Sequence, residues 1–323
     1  MAITGLQVFK EENKADAFAV IQARFSSHSC RRAEKYLQNP FLSSGGAGDI
    51  AYMQGKPVGF QAAIRRKLFL GKEPLWGVVG GMLAMYESAP PVLLVNLMKA
   101  SIASRDGSSF FYANTANFAS MKMNRMLGVK GTGPSLCERI IFGIVYVPKW
   151  LKWICRRPHA RRLSVIDAKV FDDFWNRYRE TNDGLVSSRS AEELKWIFGD
   201  RLESGEIVIL GEFSGDTLVG YVALKSSCRG KRWIIADWIA VKNNAEILSS
   251  LVQSAVRFLR RQCGPVLLET IGFPDFAEPI LKRCLWFSRK AKNNTFIWKF
   301  LDERMTIPPG SWFFGPYDGD RCM

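Results

Sequence analysis

The chain has 323 residues, which is enough for two domains of ordinary size. Hydrophobic residues make up 47% of it and charged residues 23%, a composition that excludes a disordered chain and predicts a globular protein. The net charge of +15 favours anionic partners, although a merely solubilising surface would carry the same sign. The candidate partners are a coenzyme's phosphates, tRNA, an acyl carrier protein and an anionic membrane surface.

The cysteines and histidines argue against a metal site. The seven cysteines include no Cys-x-x-Cys pair, and His28 and His159 are the two histidines of the sequence. We therefore predict no metal and the reduced cysteines of a cytosolic protein. The N-terminus lacks the build of a signal peptide, and the longest apolar run, residues 140–147, is too short to span a bilayer. We expect a cytoplasmic protein, with peripheral attachment at the inner membrane face left open.

The first half opens with a β-hairpin. Two short apolar runs, residues 49–53 and 57–64, flank the tight turn at Gln54-Gly55-Lys56. After it we predict a long strand, a helix that starts at two prolines, a strand, a second helix stopped by a glycine, and a closing strand pair. In chain order these elements cover residues 76–86, 92–104, 109–113, 117–127 and 129–147.

The second half repeats this order about 160 residues later. Its hairpin turns at Ser214-Gly215-Asp216, and a strand, a helix, a strand, a helix and a closing strand follow. The glycines Gly59 and Gly220 occupy matching places after the two turns, which indicates a duplication. The predicted elements cover residues 207–212, 218–224, 233–241, 245–262, 266–272, 275–285 and 295–300.

The repeat predicts an α/β (α+β) protein with two tandem domains, each a mixed, mostly antiparallel sheet flanked by helices. The predicted boundaries are residues 1–147, residues 163–301 and a C-terminal tail over residues 302–323. Residues 148–162 form a basic linker that contains Trp150 and Trp153. The linker either touches a membrane or nucleic acid or packs its tryptophans between the domains, and we favour the packing.

The element order and several local motifs resemble those of the GNAT acyltransferase superfamily. Residues 54–60 and 215–221 resemble its x-G-x-x-V-G-x hairpin. Residues 117–129 resemble its N-x-x-A-x-x-x-Y-x-x-x-G-F segment, with Asn117 and Gly128 in step. The resemblance implies two GNAT-like domains in tandem.

Two further segments look similar to acyltransferase-like proteins linked to bacterial polysaccharide gene clusters. They are Arg189-x-x-x-x-Leu194-x-Trp196-x-Phe198 and the tail over residues 312–320. More distantly, the tandem arrangement resembles that of Fem-type peptidyltransferases. These resemblances imply a bacterial acyltransferase.

The family resemblance implies that acetyl-CoA or another acyl-CoA is the donor. In the family, the loop after the long strand and the next helix N-terminus hold the coenzyme pyrophosphate. Here the first half has Glu87, expected to be solvated, and two prolines that offer no N–H, so we prefer the loop of the second half. An ordinary capped helix start is the alternative. The predicted cofactor-binding residues are Ile239, Val241, Lys242, Asn243, Asn244 and Ala245.

Three residues are candidate catalytic groups. Asp237 and Glu269 lie in apolar strands, where a buried carboxylate needs a partner or a function, so each is a candidate general base. The alternative is that they point to the solvated face of the sheet. The family's tyrosine acid is replaced by Asn124 and Lys282 in the two copies, and Lys282 could donate a proton only if burial lowered its pKa.

Three residues of the first half are candidate substrate-binding residues. Tyr112 and Asn114 lie on one predicted strand, and Asn117 follows it. Simple strand packing is the alternative for the first two.

The leading hypothesis is a GNAT-type N- or O-acyltransferase that acts on a small molecule or a cell-envelope or polysaccharide precursor. A second hypothesis replaces the donor by an aminoacyl-tRNA, as in Fem-type enzymes, or by an acyl carrier protein. A third is a binding protein that kept the fold without the chemistry, because fold does not establish function.

Overall fold

The computed structural model describes the chain except for short segments. The described residues are 5–25, 28–42, 44–103, 107–116, 118–131, 139–144, 159–227, 230–263, 266–271, 279–281, 287–290, 295–305 and 312–318. Within them the α-helices are α1 (Lys14–Arg24), α2 (His28–Leu37), α3 (Pro91–Ile102), α4 (Phe118–Met126), α5 (Ala168–Glu180), α6 (Ala191–Glu203) and α7 (Ala245–Gln262).

The strands of the same ranges are β1 (Gly5–Val8), β2 (Gly48–Met53), β3 (Lys56–Leu70), β4 (Glu73–Met85), β5 (Phe110–Ala116), β6 (Lys130–Gly131), β7 (Arg139–Ile144), β8 (Arg161–Leu163), β9 (Leu185–Ser187), β10 (Ile207–Ser214), β11 (Thr217–Ser227), β12 (Arg232–Ala240), β13 (Leu267–Ile271), β14 (Phe287–Lys290), β15 (Thr295–Phe300) and β16 (Trp312–Phe313).

These strands form two sheets. The order in the first sheet is β1-β2-β3-β4-β5-β15-β6, with β9 beside β3 and β16 beside β9. The order in the second sheet is β14-β7-β13-β12-β11-β10-β8. In both sheets the hairpin is antiparallel, and the long strand after it runs parallel to the strand that follows the next helix. The predicted fold class, two mixed sheets in tandem, is confirmed.

The two halves exchange a strand. β7, from the first half, lies in the second sheet between β13 and β14. β15, from the second half, lies in the first sheet between β5 and β6. The predictions that residues 139–144 close the first sheet and that residues 295–300 close the second are therefore wrong, because a strand's periodicity does not say which sheet it will join.

The predicted domain boundaries stay a prediction. The pairing shows that residues 1–147 contain one strand of the second sheet, β7, and that residues 163–301 contain two strands of the first sheet, β9 and β15. The predicted helix over residues 245–262 coincides with α7. The linker lies mostly outside the described residues, as does the predicted helix over residues 275–285, of which only 279–281 are described.

Two glycines confirm the equivalence of the two hairpins. A Cβ at Gly59 on β3 would lie 2.8 Å from Leu97 of α3. A Cβ at Gly220 on β11 would lie 2.9 Å from Ile247 of α7. In each half, the glycine therefore lets the helix after the long strand approach the hairpin closely.

One buried core runs through both halves. The largest cluster of buried apolar side chains extends from Phe9 to Tyr317 along the sequence. β9 also joins the first sheet directly, with Ser187 opposite Leu68 of β3. On the helical side, the indole of Trp196 on α6 donates to the backbone oxygen of Lys35 on α2 at 2.8 Å. The two halves are therefore packed against each other as one body.

Candidate functional site

The first sheet opens between its two parallel central strands. The pairing of β4 with β5 ends at Val79 and Tyr112, although β4 continues to Met85 and β5 to Ala116. Backbone groups of alternate β4 residues therefore point into a gap rather than toward β5. An extended chain can add to such an open strand edge through main-chain hydrogen bonds.

A cleft of about 350 Å³ lies at this open edge. It is mostly apolar, and Arg24 is its single charged residue. The guanidinium of Arg24 lies 2.8 Å from a carboxylate oxygen of Glu87, whose side chain is 86% exposed, as predicted. The lining residues are Ala23, Arg24 and Phe25 at the end of α1, Leu83, Ala84 and Met85 of β4, and Leu94 of α3.

The helix that follows β4 starts beside this cleft without a side-chain cap. Pro90 is the N-cap residue of α3 and Pro91 is its first residue, and neither has a side chain that accepts a hydrogen bond. The positive end of the helix dipole therefore lies near Leu94 without a side-chain cap, although Pro91 has no N–H and the amide of Leu93 already donates to the backbone oxygen of Pro90 at 3.0 Å. Such an end favours a negatively charged group.

The corresponding loop of the second half is closed by its own side chains. Lys242 and Asn243 both adopt left-handed backbone angles, with φ of 59° and 48°. The side chain of Asn244 caps α7 by accepting hydrogen bonds from the amides of Glu246 and Ile247, at 2.9 and 3.1 Å. The Asn243 side chain accepts a hydrogen bond from the Tyr178 hydroxyl at 3.2 Å.

In the second half, the loop that we predicted to bind the cofactor therefore has the geometry of an ordinary capped helix start, which was the alternative prediction. Ile239 is fully buried in β12, Val241 opens the short turn after it, and Ala245 begins α7. Because Asn244 already takes two of the first-turn amides, a pyrophosphate would have to displace it. Cofactor binding by these residues stays a prediction, and the geometry favours the first half instead.

Asp237, a predicted general base, lies in a buried network of charges. Its side chain is fully buried on β12 and faces Arg189, at 3.2 Å between Nη2 and Oδ1. The hydroxyl of Tyr221 donates to the same carboxylate at 2.5 Å. The expectation that this carboxylate needs a partner is confirmed, and the alternative of a solvated position is wrong.

The network continues into the C-terminal tail and into the first half. Arg189 also pairs with Asp318 at 3.1 Å, and Asp318 accepts from the backbone amide of Gly315 at 2.6 Å. The Ser187 hydroxyl, a neighbour of Arg189, donates to Asp318 and lies 3.5 Å from Nη2 of Arg66.

Arg66, on β3, forms a fully buried ion pair with Glu193 of α6. The ring of Tyr317 lies between the two guanidinium groups, 5.0 Å from that of Arg66 and 4.4 Å from that of Arg189. The tail thus contacts both halves.

Burial governs the pKa values of this network. Burial raises the pKa of Asp237, and the guanidinium of Arg189 opposes that rise without cancelling it. Burial likewise raises the pKa of Glu193 against the opposing charge of Arg66. Burial works to lower the pKa of Arg189, but Asp237 and Asp318 outweigh it and raise that pKa. Both arginines therefore stay charged, and a carboxyl is the group that takes up a proton.

The other predicted catalytic residues lie apart from this network. Glu269 is 2% exposed on β13, and its carboxylate lies 2.5 Å from the guanidinium of Arg232. It too has the partner that its burial requires, and it is not solvated. Lys282 lies outside the described residues.

The three predicted substrate-binding residues have different outcomes. Tyr112 is fully buried, and its ring packs against Phe314 of the tail at 4.8 Å between centroids. Burial raises its pKa. The burial of Tyr112 agrees with the alternative to substrate binding, which was simple packing of the strand. The backbone of Asn114 belongs to β5, whereas its side chain and Asn117 lie outside the described residues.

Sequence reasoning missed the residues that complete the buried network. Arg66 lies between Arg65 and Lys67 on β3, and such a basic run gives no sign that its middle residue is buried. The burial of Glu193 could not be predicted, because an acidic residue in the first turn of a helix is usually solvated. Here Ser190 caps the backbone amide of Glu193, and the Glu193 side chain pairs with Arg66. Arg189 and Asp318 are far apart in the sequence, and the fold brings them into contact.

Solved structures share this fold. A protein of Enterococcus faecalis V583 described as a probable N-acyltransferase has a TM-score of 0.65 at 12% identity, covering 93% of this chain and 73% of that one. A GCN5-related N-acetyltransferase from Anabaena variabilis has a TM-score of 0.63 at 9% identity, with 93% and 73% covered. The Saccharomyces cerevisiae N-myristoyltransferase with bound myristoyl-CoA has a TM-score of 0.57 at 9% identity, with 93% and 79% covered.

The chain therefore has the fold of the GCN5-related N-acetyltransferases, built twice. No protein-family model matches the sequence, and no curated protein matches it significantly. The resemblances to polysaccharide-cluster proteins and to Fem-type enzymes stay predictions. In the part of the chain that the structure describes, no helix has the length and apolar character needed to cross a membrane.

Proposed function

We propose that the protein is an acyltransferase and that its acyl-CoA donor binds to the first half. One observation carries this proposal: the cleft of about 350 Å³ lies on the unpaired edge of β4. The pantetheine arm of coenzyme A contains amide groups and is extended, so it can pair with backbone groups of Met82–Met85 as an added strand would. The fold likeness to acetyltransferases supports the same reading.

The surroundings of the cleft suit the two ends of such a donor. The start of α3 offers phosphate groups the positive end of a helix dipole rather than the N–H groups that Pro90 and Pro91 lack, and Arg24, paired with the exposed Glu87, adds a guanidinium at the rim. The apolar wall formed by Leu83, Met85 and Leu94 suits an acyl chain. Backbone amides of β4 would polarise the thioester carbonyl as it takes up negative charge.

For the acceptor of the acyl group we propose a chemical class rather than a single compound. An amine or hydroxyl of a small molecule, or of a cell-envelope or polysaccharide precursor, would attack the thioester and release coenzyme A. An aminoacyl-tRNA or an acyl carrier protein remains the second proposed source of the acyl group, supported by the net charge of +15.

A non-catalytic binding protein is the competing proposal. It is favoured by the burial and ion pairing of Asp237 and Glu269, which leave neither carboxylate free to act as a base. This protein would bind the same acyl-CoA and never release free coenzyme A.

Titration calorimetry with coenzyme A, acetyl-CoA and a long-chain acyl-CoA tests the donor site. We expect binding that is lost when the cleft is filled by Met85→Trp or Leu94→Trp. Val165→Trp is the control, because Val165 is an exposed apolar residue outside the cleft. Binding that survives both cleft variants would place the donor elsewhere. Release of the free thiol with a panel of amines and alcohols then separates the enzyme from the binding protein.

A further inference from the structure

A second concave surface lies at the opposite end of α3 from the donor cleft. It is a groove of about 540 Å³. α3 and α4 form two sides of it, and the exchanged strand β15 with the residues after it forms the third. The lining residues are Lys99, Ile102, Ala103, Met126, Leu127, Lys299, Phe300, Leu301 and Glu303. Its floor is apolar, and three of its lining residues are charged, whereas the donor cleft has one charged lining residue.

The rim is predominantly basic. Lys99 is exposed on α3, and the ammonium of Lys299 donates to the backbone oxygen of Leu127 at 3.2 Å. Lys122 and Arg125 are exposed on α4, and Lys122, four residues before Met126, shares a helix face with it. Glu303 is the one acidic residue of the lining. Among the described residues, this face therefore carries Lys99, Lys122 and Lys299, with Arg125 beside it, against the carboxylate of Glu303.

An apolar side chain stands out of the same basic face. Met126 is 78% exposed, which makes it the most exposed large apolar side chain among the described residues. Cations beside an outward apolar group suit a membrane interface, where the apolar group enters the lipid and the cations contact the headgroups.

We propose that this face, defined by α4, Lys99 and Lys299, docks the protein on the surface of an anionic lipid bilayer. Met126 enters the acyl region, and the apolar floor of the groove faces the bilayer beside it. RNA would satisfy the cations but would leave Met126 and the apolar floor without a partner, so the bilayer is the better match. The proposal does not depend on the acyl-CoA site.

Co-sedimentation of the full chain with vesicles tests it. We expect binding to vesicles that contain phosphatidylglycerol, no binding to pure phosphatidylcholine, and release as the salt concentration rises. Lys99→Gln and Lys299→Gln should each weaken the partition about five-fold, as expected for one cation near an anionic surface. Met126→Gln should weaken it with no change of charge, and Glu303→Gln should strengthen it.

Two controls keep the test specific to this face. Lys169→Gln on α5 and Lys195→Gln on α6 remove the same charge from exposed positions elsewhere and should leave the partition unchanged. Thermal unfolding of every variant checks that the fold is intact. Equal effects of the groove and control lysines, binding to neutral vesicles, or retention of RNA in preference to anionic vesicles would overturn the proposal.

Discussion

Arg66 and Glu193 form an ion pair in which both side chains are fully buried, and the two residues come from different halves of the chain. Removing one partner of such a pair leaves a buried charge without compensation, which typically costs ~3–5 kcal/mol. We therefore expect Arg66→Met to lower the free energy of unfolding by about that amount in urea titrations. The double variant with Glu193→Met should recover most of the loss, since it leaves no charge behind. A double variant as unstable as the single one would contradict this.

The buried network holds more carboxylates than guanidinium groups. Glu193, Asp237 and Asp318 face Arg66 and Arg189, so the five side chains would carry a net negative charge if all were ionised. Neutralising one carboxylate should therefore cost less than removing an arginine. We expect Asp318→Asn to destabilise by ~1–3 kcal/mol and Arg189→Met by ~3–5 kcal/mol in the same titrations. The reverse order would show that the excess charge is balanced by another group.

The raised carboxyl pKa values predict a definite pH dependence. Burial raises the pKa of Asp237 and of Glu193 in the folded protein, so the folded state keeps protons that the unfolded chain releases from about pH 4 upward. The free energy of unfolding should therefore fall as the pH rises from about 4 through the raised pKa values.

Asp237→Asn should reduce this slope, and its control is Asp302→Asn. Asp302 is partly exposed, and the Arg304 side chain that donates to it lowers its pKa to about 2, so its contribution changes only at lower pH. Urea titrations at a series of pH values measure both variants. A slope that Asp302→Asn changes and Asp237→Asn does not would contradict the assignment.

The cap of α7 separates a structural role from a cofactor role. If Asn244 serves as a cap, Asn244→Ala should lower the free energy of unfolding by ~1 kcal/mol and leave the affinity for acyl-CoA unchanged. Asn244→Asp keeps the cap and should leave stability nearly unchanged. An affinity for acyl-CoA that falls in both variants would return the donor site to the second half.

The exchanged strands predict that neither half folds alone. A fragment of residues 1–147 lacks β15, so the edge of β5 would be left open and the small strand β6 would lose its neighbour. We expect this fragment to be insoluble or to unfold without a cooperative transition. Co-expression of residues 1–158 with residues 159–323 should restore a soluble complex. A cooperative transition of residues 1–147 by themselves would contradict the exchange.

Local patterns predicted the elements well and their partners poorly. The hairpins, the long strands and α7 follow from turn residues and periodicity, which act over a few residues. The exchange of β7 and β15 depends on pairing between distant segments, for which the sequence of one strand carries no signal.

The candidate site shows the same division. Burial of Asp237 could be predicted from its apolar strand, but its neutralisation by Arg189 required the fold. The opening beside β4 could not be predicted from the sequence either. It lies where β4 and β5 stop pairing, and both strands keep a strand-like sequence beyond that point.

Because β15 belongs to the first sheet, that sheet cannot be completed until late in the synthesis of the chain. β5 is complete once residue 116 has been made, whereas the strand that covers its edge is complete only at residue 300. At ~5–20 residues per second, the ribosome needs roughly 10 to 40 s to cover that distance. During this time the edge of β5 is open to pairing with other nascent chains. Cells that make this protein therefore have to protect an unfinished sheet for most of the time that its translation takes.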